Sequence, residues 1–102
     1  MVVRFAPAAA QDLEEIGDYI HSENPRAAYR FVAELRARCN RLADTPRSGA
    51  PRPDLWAGLR SIPFRLYVVF YTVSGDDVRI ERILHGSRDI EAVFSEDERP
   101  EE

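Results

Sequence analysis

Lysine is absent: all 14 basic residues are arginine. That excludes Schiff-base chemistry and a pKa-shifted lysine base, and leaves an always-charged planar fork suited to carboxylate or phosphate. The single cysteine, Cys39, has no partner for a disulfide within the chain, as in proteins of a reducing compartment. Long apolar runs are also missing. The longest, Leu66 to Tyr71, falls far short of the roughly 20 residues a membrane helix needs, and reads as a strand. The opening Met-Val-Val-Arg-Phe-Ala-Pro has neither the basic start nor the apolar stretch of a secretory signal, so a cytoplasmic protein is expected. With 102 residues there is room for one domain, read here as residues 1–94, followed by an acidic tail at 95–102 that is expected to be mobile.

Charge is spread unevenly behind a formal net value of -4. Residues 1–24 carry one Arg against five acids, and residues 25–56 carry seven Arg against three. Residues 57–94 balance, and residues 95–102 carry one Arg against five acids. An acidic total argues against holding nucleic acid by bulk charge, so no direct nucleic-acid partner is expected for the chain alone. The arginine-rich stretch suits an acidic protein segment or one defined phosphate.

Val2, Val3 and Phe5 form a short apolar run, and Pro7 follows where a first helical turn tolerates a missing N–H. Ala9, Leu13, Ile16, Gly17 and Ile20 recur at helical spacing to about His21, with Asp12, Glu14, Glu15 and Asp18 assigned to the other, solvated side. Asn24-Pro25 is a helix start, since Asn caps free N–H groups and Pro presets the first dihedral. Ala28, Phe31, Val32, Leu35, Cys39 and Leu42 make the apolar stripe of this second helix, and Arg26, Arg30, Arg36, Arg38 and Arg41 fill the remainder. So short a turn between two helices predicts an antiparallel hairpin.

Three Pro and a Gly between 44 and 57 exclude a helix or a central strand and predict a crossing loop pinned by Leu55 and Trp56. Leu59 to Pro63 reads as an edge-type strand because Pro63 cannot donate to a ladder. Residues 66–73 are apolar at nearly every position and read as a central strand. Ser74 to Asp77 supplies a loop of about four residues, and Val78 to His85 a further strand. Val78 and Ile80 share a face with Arg82 and Leu84 while Ile83 falls opposite, which implies a bulge or two partly covered faces. Ser87 or Asp89 caps a short helix holding Ile90, Val93 and Phe94. The fold class is α+β: an N-terminal strand, an antiparallel helical hairpin packed on a largely antiparallel sheet, and a short C-terminal helix. The sheet face away from the hairpin is expected to be partly open and, with the C-terminal end, to carry recognition.

Taken in order, these pieces resemble a known family. Asp12-Leu13, Ile16, Tyr19-Ile20, Asn24-Pro25, Ala27-Ala28 with Phe31, Pro46 with Gly49, Leu59-Arg60-Ser61, Tyr67 with Phe70-Tyr71, and the run Ile83 to Ile90 are similar to the ParE-type toxins of the RelE/ParE superfamily over about residues 3–94. The resemblance implies a growth-inhibiting toxin of a type II toxin-antitoxin pair, of the plasmid-stabilization kind. It implies neutralisation by a cognate ParD-like antitoxin with a ribbon-helix-helix start and an acidic amphipathic end. The ParE branch implies DNA gyrase as the target, a protein, so neither catalytic residues nor a cofactor are required. The RelE branch implies the alternative, a ribosome-dependent mRNA endonuclease, and a non-toxic antitoxin-binding relic is a third reading.

A ribonuclease needs cations for the developing phosphorane charge and a general base and acid within hydrogen-bonding reach. Arg65, Arg82 and His85, with Glu81 beside them, are the nominal set. Glu81 and Arg82 are strand neighbours that point to opposite faces, so they converge only through a bulge. RelE-like sites are also more basic, include Lys and often place a Tyr near the C-terminus, where this chain has Phe94. Partner binding is the favoured reading, with Arg60, Arg65, Tyr67, Arg82, His85 and Arg88 as contact residues. Arg60 and Arg88 stand out because they fall inside pieces that carry the resemblance. Each residue has a plainer reading: solvated or ion-paired surface for the arginines, a packed strand-end imidazole for His85, core for Cys39 and surface for His21. Tyr67 and Tyr71 share a strand face and form either an aromatic patch or core. The arginine face of the second helix is either ordinary surface or a seat for an acidic antitoxin segment, whose apolar residues would lie in grooves beside the helices.

Overall fold

A computed structural model describes residues 1–96. Strand β1 (Val2–Phe5) leads into helix α1 (Pro7–Glu23), and α2 (Pro25–Asn40) runs on into a 3-10 turn at Arg41–Ala43. Strands β2 (Ala50–Pro51), β3 (Arg60–Phe64), β4 (Tyr67–Ser74) and β5 (Asp77–His85) follow, then helix α3 (Ile90–Glu96). Asn24 serves both helices of the hairpin: its N–H donates to Ile20 O at 2.8 Å and its Oδ1 accepts from Ala27 N–H at 3.1 Å. Gly17 faces Val32 across the hairpin, where a Cβ would stand 3.4 Å from a Val32 methyl, in van der Waals contact. No helix among the described residues is long and apolar enough to cross a membrane.

The strands form one mixed sheet in the order β1-β5-β4-β3-β2, with β1 parallel to β5 and the other pairs antiparallel. The apolar run places β4 at the centre. Its side chains alternate, with Tyr67, Val69, Tyr71 and Val73 toward the helices and Val68 and Phe70 toward the other face. Leu13 and Ile16 of α1 and Leu35 and Cys39 of α2 pack on the helix side against Val69, Tyr71 and Ile80. A fully buried leucine such as Leu35 contributes roughly 1.5–3 kcal/mol over its exposed state.

Several expectations are narrowed or corrected. Of the two readings of Tyr67 and Tyr71 the core one holds: they share the face covered by the helices, and Tyr71 is fully buried. The far face, expected to be partly open, is covered in part: Leu55 and Trp56 from the loop and Val93 and Phe94 from α3 close over Phe70 and Leu84. The β4–β5 loop is a two-residue turn, with Ser74 paired to Asp77 and Gly75 supplying φ 57. The crossing loop contains the two-residue strand β2, which the sequence reading did not anticipate; its position at the sheet edge suits a proline. α3 includes Ser95 and Glu96, so these two residues extend a helix in place of beginning a tail. The rest of the expected tail, 97–102, lies outside the described residues.

The implied bulge is present. Phe70 pairs with Arg82 while Tyr71 pairs with Ile80, leaving Glu81 unmatched in the ladder. The slip returns Ile83 to the helix-side core and Leu84 to the opposite cluster.

Candidate protein-binding surfaces

Of the six residues singled out as contacts, the fold gathers three at one end of the sheet. Arg65 and Leu66 form the β3–β4 turn, and Tyr67 and His85 are cross-strand partners where β4 begins and β5 ends. The Tyr67 and His85 rings stand edge to face, 5.2 Å apart at 80°. Gly86 N–H donates to Leu66 O at 2.8 Å, tying this turn to the end of β5. Arg88 is exposed on the next turn, where its backbone N–H donates to His85 O at 3.0 Å.

Arg65 adopts φ 53, the left-handed region where a non-glycine residue is strained. Its guanidinium pairs with Glu34 of α2 and lies over the rings of Phe31 and Phe64, at 5.7 and 5.3 Å from their centroids. These contacts hold the turn so that Leu66 projects, 71% exposed. Tyr19 of α1, equally prominent in solvent, is close enough to act electrostatically on Tyr67. Burial first, and Tyr19 second, push the Tyr67 phenol above its ordinary pKa, so it stays a neutral hydroxyl. Leu66 and Tyr19 escaped the sequence reading. Leu66 was counted into the central strand because nothing in Phe64-Arg65-Leu66-Tyr67 is a glycine, asparagine or proline.

Arg60 and Arg82 lie apart. Arg60 sits at the opposite end of β3 from Phe64, roughly 13 Å along the strand. One of its terminal nitrogens donates to the carbonyls of Arg47 and Gly49 at 3.1 and 2.7 Å. It works there with Tyr71, whose hydroxyl donates to Pro46 O and accepts from Gly49 N–H, both at 2.8 Å. A Cβ on Gly49 would come within 2.5 Å of that hydroxyl oxygen. The first half of the crossing loop is therefore anchored by Arg60 and Tyr71, and its second half by Leu55 and Trp56 as expected. Arg82 is turned to α1, where Asp12 receives its guanidinium.

The nominal ribonuclease residues are thus distributed. Glu81 is buried beside β4, accepting from the Thr72 hydroxyl at 2.8 Å and facing Arg79 at 3.5 Å. Arg82 is paired with Asp12, and Arg65 with Glu34. His85 contacts Tyr67 and Ser87. Among the described residues no group of three His, Cys, Asp or Glu side chains is placed to hold a metal ion. Cys39 is fully buried, and burial pushes its thiol up to about 11, so it belongs to the core.

A second surface lies on the hairpin. An open groove of about 1050 Å³ runs between α1 and α2, lined on its buried side by Leu13, Gly17, Ala28 and Val32 and at its edge by Ala10. Glu14 borders it from α1, and Tyr29 and Arg36 border it from α2. Tyr29 is 75% exposed, with the His21 ring edge-on at 6.3 Å, and Arg36 lies over Phe5. A groove with an apolar floor, an acidic wall and a basic wall can accept an amphipathic segment.

Comparison with known proteins agrees with this architecture. Residues 3–90 match the family model described as the ParE toxin of the type II toxin-antitoxin system parDE. Toxin ParE3 of Caulobacter vibrioides is 32% identical over 92 residues, covering 89% of this chain and 91% of that protein. Y4kP of Sinorhizobium fredii is 35% identical over 86 residues, covering 81% and 85%. A solved chromosomal ParDE toxin-antitoxin system from P. aeruginosa superposes with a TM-score of 0.73 at 25% identity, covering 83% of this chain and 95% of that one. The fold is shared with that structure, and the chain belongs to the ParE toxin family of type II toxin-antitoxin systems.

Proposed function

We propose that the chain arrests growth by binding DNA gyrase in the cytoplasm, through the end of the sheet that carries Arg65, Leu66, Tyr67, His85 and Arg88. We propose residues 1–94 as the domain responsible. A cognate ParD-like antitoxin silences it by laying an acidic amphipathic segment along the α1/α2 groove, beside the arginines of α2. The observation that carries this reading is the grouping of a projecting leucine, two aromatic or heteroaromatic rings and two cations on one exposed end. Apolar and aromatic anchors rimmed by arginine are the composition of protein-binding hot spots.

The pairing of Arg82 with Asp12 supports binding over RNA cleavage. A cation already held by a buried carboxylate is not available to a phosphorane, and Glu81 is engaged beside Thr72. Arg60 and Arg82 are proposed to shape the molecule without touching the target. The test is genetic: host cells surviving expression of the chain are sequenced. Protective changes in gyrase subunits are the expected result; protective changes confined to ribosomal components would replace this reading with RelE-type mRNA cleavage. Unimpaired growth despite folded protein would identify a non-toxic antitoxin-binding relic.

A further inference from the structure

His85 is the last residue of β5, and the chain folds back immediately beyond it, with Arg88 N–H donating to His85 O. Within that turn Ser87 meets the imidazole twice. Its backbone N–H donates to Nδ1 at 3.1 Å, and its Oγ lies 2.7 Å from the same nitrogen. A backbone N–H can only donate, so Nδ1 is the unprotonated, accepting nitrogen. The hydroxyl must then donate as well, and the neutral ring carries its proton on Nε2. The Tyr67 ring, edge-on at 5.2 Å, fixes the ring from the neighbouring strand. No described residue bonds Nε2.

We infer that Ser87 is a positioning residue: it locks His85 in the Nε2–H tautomer and aims that N–H outward as a hydrogen-bond donor to an acceptor oxygen, carbonyl or carboxylate, of a protein partner. This deepens the reading of the sheet end as the gyrase-contacting surface and rests on it for the partner. It adds to that surface a neutral donor of fixed direction, beside the cations Arg65 and Arg88 and the apolar tip Leu66. A serine bonded to a histidine also suggests a nucleophile and its base. Among the described residues no carboxylate bonds Nε2 to orient the ring, and Ser87 sits in an exposed turn, so the geometry serves orientation.

The experiment uses the full chain labelled with 15N. Long-range proton–nitrogen correlation reads which ring nitrogen carries the proton. The wild type is expected to show a single Nε2–H form, Ser87→Thr the same form, and Ser87→Ala a weaker preference for it with a measurable Nδ1–H fraction, since only the backbone N–H of residue 87 then donates to Nδ1. Inhibition of purified gyrase supercoiling is expected to weaken about three- to tenfold in Ser87→Ala, the size of one lost hydrogen bond, and to be recovered in Ser87→Thr. A wild-type ring protonated on Nδ1, or a Ser87→Ala ring unchanged from wild type, would overturn the assignment. If the wild type leaves gyrase untouched, the target reading fails alone, and growth arrest replaces supercoiling as the readout. Full arrest by Ser87→Ala with a measurable Nδ1–H fraction would then overturn the positioning role, and arrest weakened in step with the tautomer would support it.

Discussion

Arg82 of β5 and Asp12 of α1, 70 residues apart in sequence, share a fully engaged carboxylate. Asp12 Oδ2 accepts from Arg82 Nε at 2.8 Å and from Ile83 N–H at 2.9 Å, while Oδ1 accepts from the Arg82 terminal nitrogen at 3.0 Å. The pair bridges helix and sheet at the bulge, and the Asp12 side chain is only 8% exposed. It thereby fixes where β5 emerges from under α1 and presents His85.

Removing one partner of such a pair leaves a buried charge uncompensated. Asp12→Ala is expected to cost about 3–5 kcal/mol in denaturant unfolding, whereas Asp12→Leu combined with Arg82→Met costs far less than either single change. A double mutant as unstable as Asp12→Ala would show that the pair is not the cause.

The loop anchor makes a separable prediction. Tyr71→Phe removes both hydroxyl bonds to residues 46 and 49 and leaves the ring in place. A loss of about 1–3 kcal/mol is expected, with faster amide exchange confined to 46–51. Arg60→Glu should loosen the same segment, while Arg88→Glu leaves stability unchanged and weakens toxicity. Equal toxicity in Arg88→Glu and wild type would remove Arg88 from the proposed contact.

Cys39 predicts a pH dependence of stability. Its thiol, raised by burial from 9.0 to about 11, stays neutral in the fold while the unfolded thiol begins to ionise. A raised folded pKa means the contribution is intact below pH 9 and is lost as pH rises from about 9 to about 11. Thermal midpoints of the wild type should fall more steeply across that window than those of Cys39→Val, which has no thiol to ionise. Parallel curves would contradict the assignment.

Much of this fold was legible because its signals are local. Asn24-Pro25 marks the hairpin corner, the run through Val68-Val69-Phe70 marks the central strand, and the parity break at Ile83 betrays the bulge. Asp12 was misplaced on the solvated side of α1 because helical spacing assigns it there; its burial depends on an arginine that only the tertiary fold supplies. Strand β2, two residues long, is too short for any periodic signal. The candidate surface was only partly visible: Tyr67 meets His85 through strand register, and Leu66 projects because Arg65 takes a backbone conformation that sequence assigns to glycine. Neither fact is encoded in spacing.

The α1/α2 groove can be separated from the toxic surface. Ala10→Glu and Tyr29→Glu place charge on exposed groove positions that carry no core contact. Each should weaken antitoxin binding about tenfold or more, roughly 1.4 kcal/mol, while growth arrest by the chain alone is retained. Unchanged neutralisation in both would place the antitoxin elsewhere.

The central claim is that this toxin acts by grasping a protein and not by cutting RNA. It is tested most directly by titrating purified wild type and Arg65→Glu into a gyrase supercoiling reaction, with a translating-ribosome extract run in parallel. The wild type is expected to block supercoiling, Arg65→Glu to block it at least about tenfold less well, and transcripts in the extract to remain whole. Normal supercoiling together with transcripts cleaved by the wild type would contradict it.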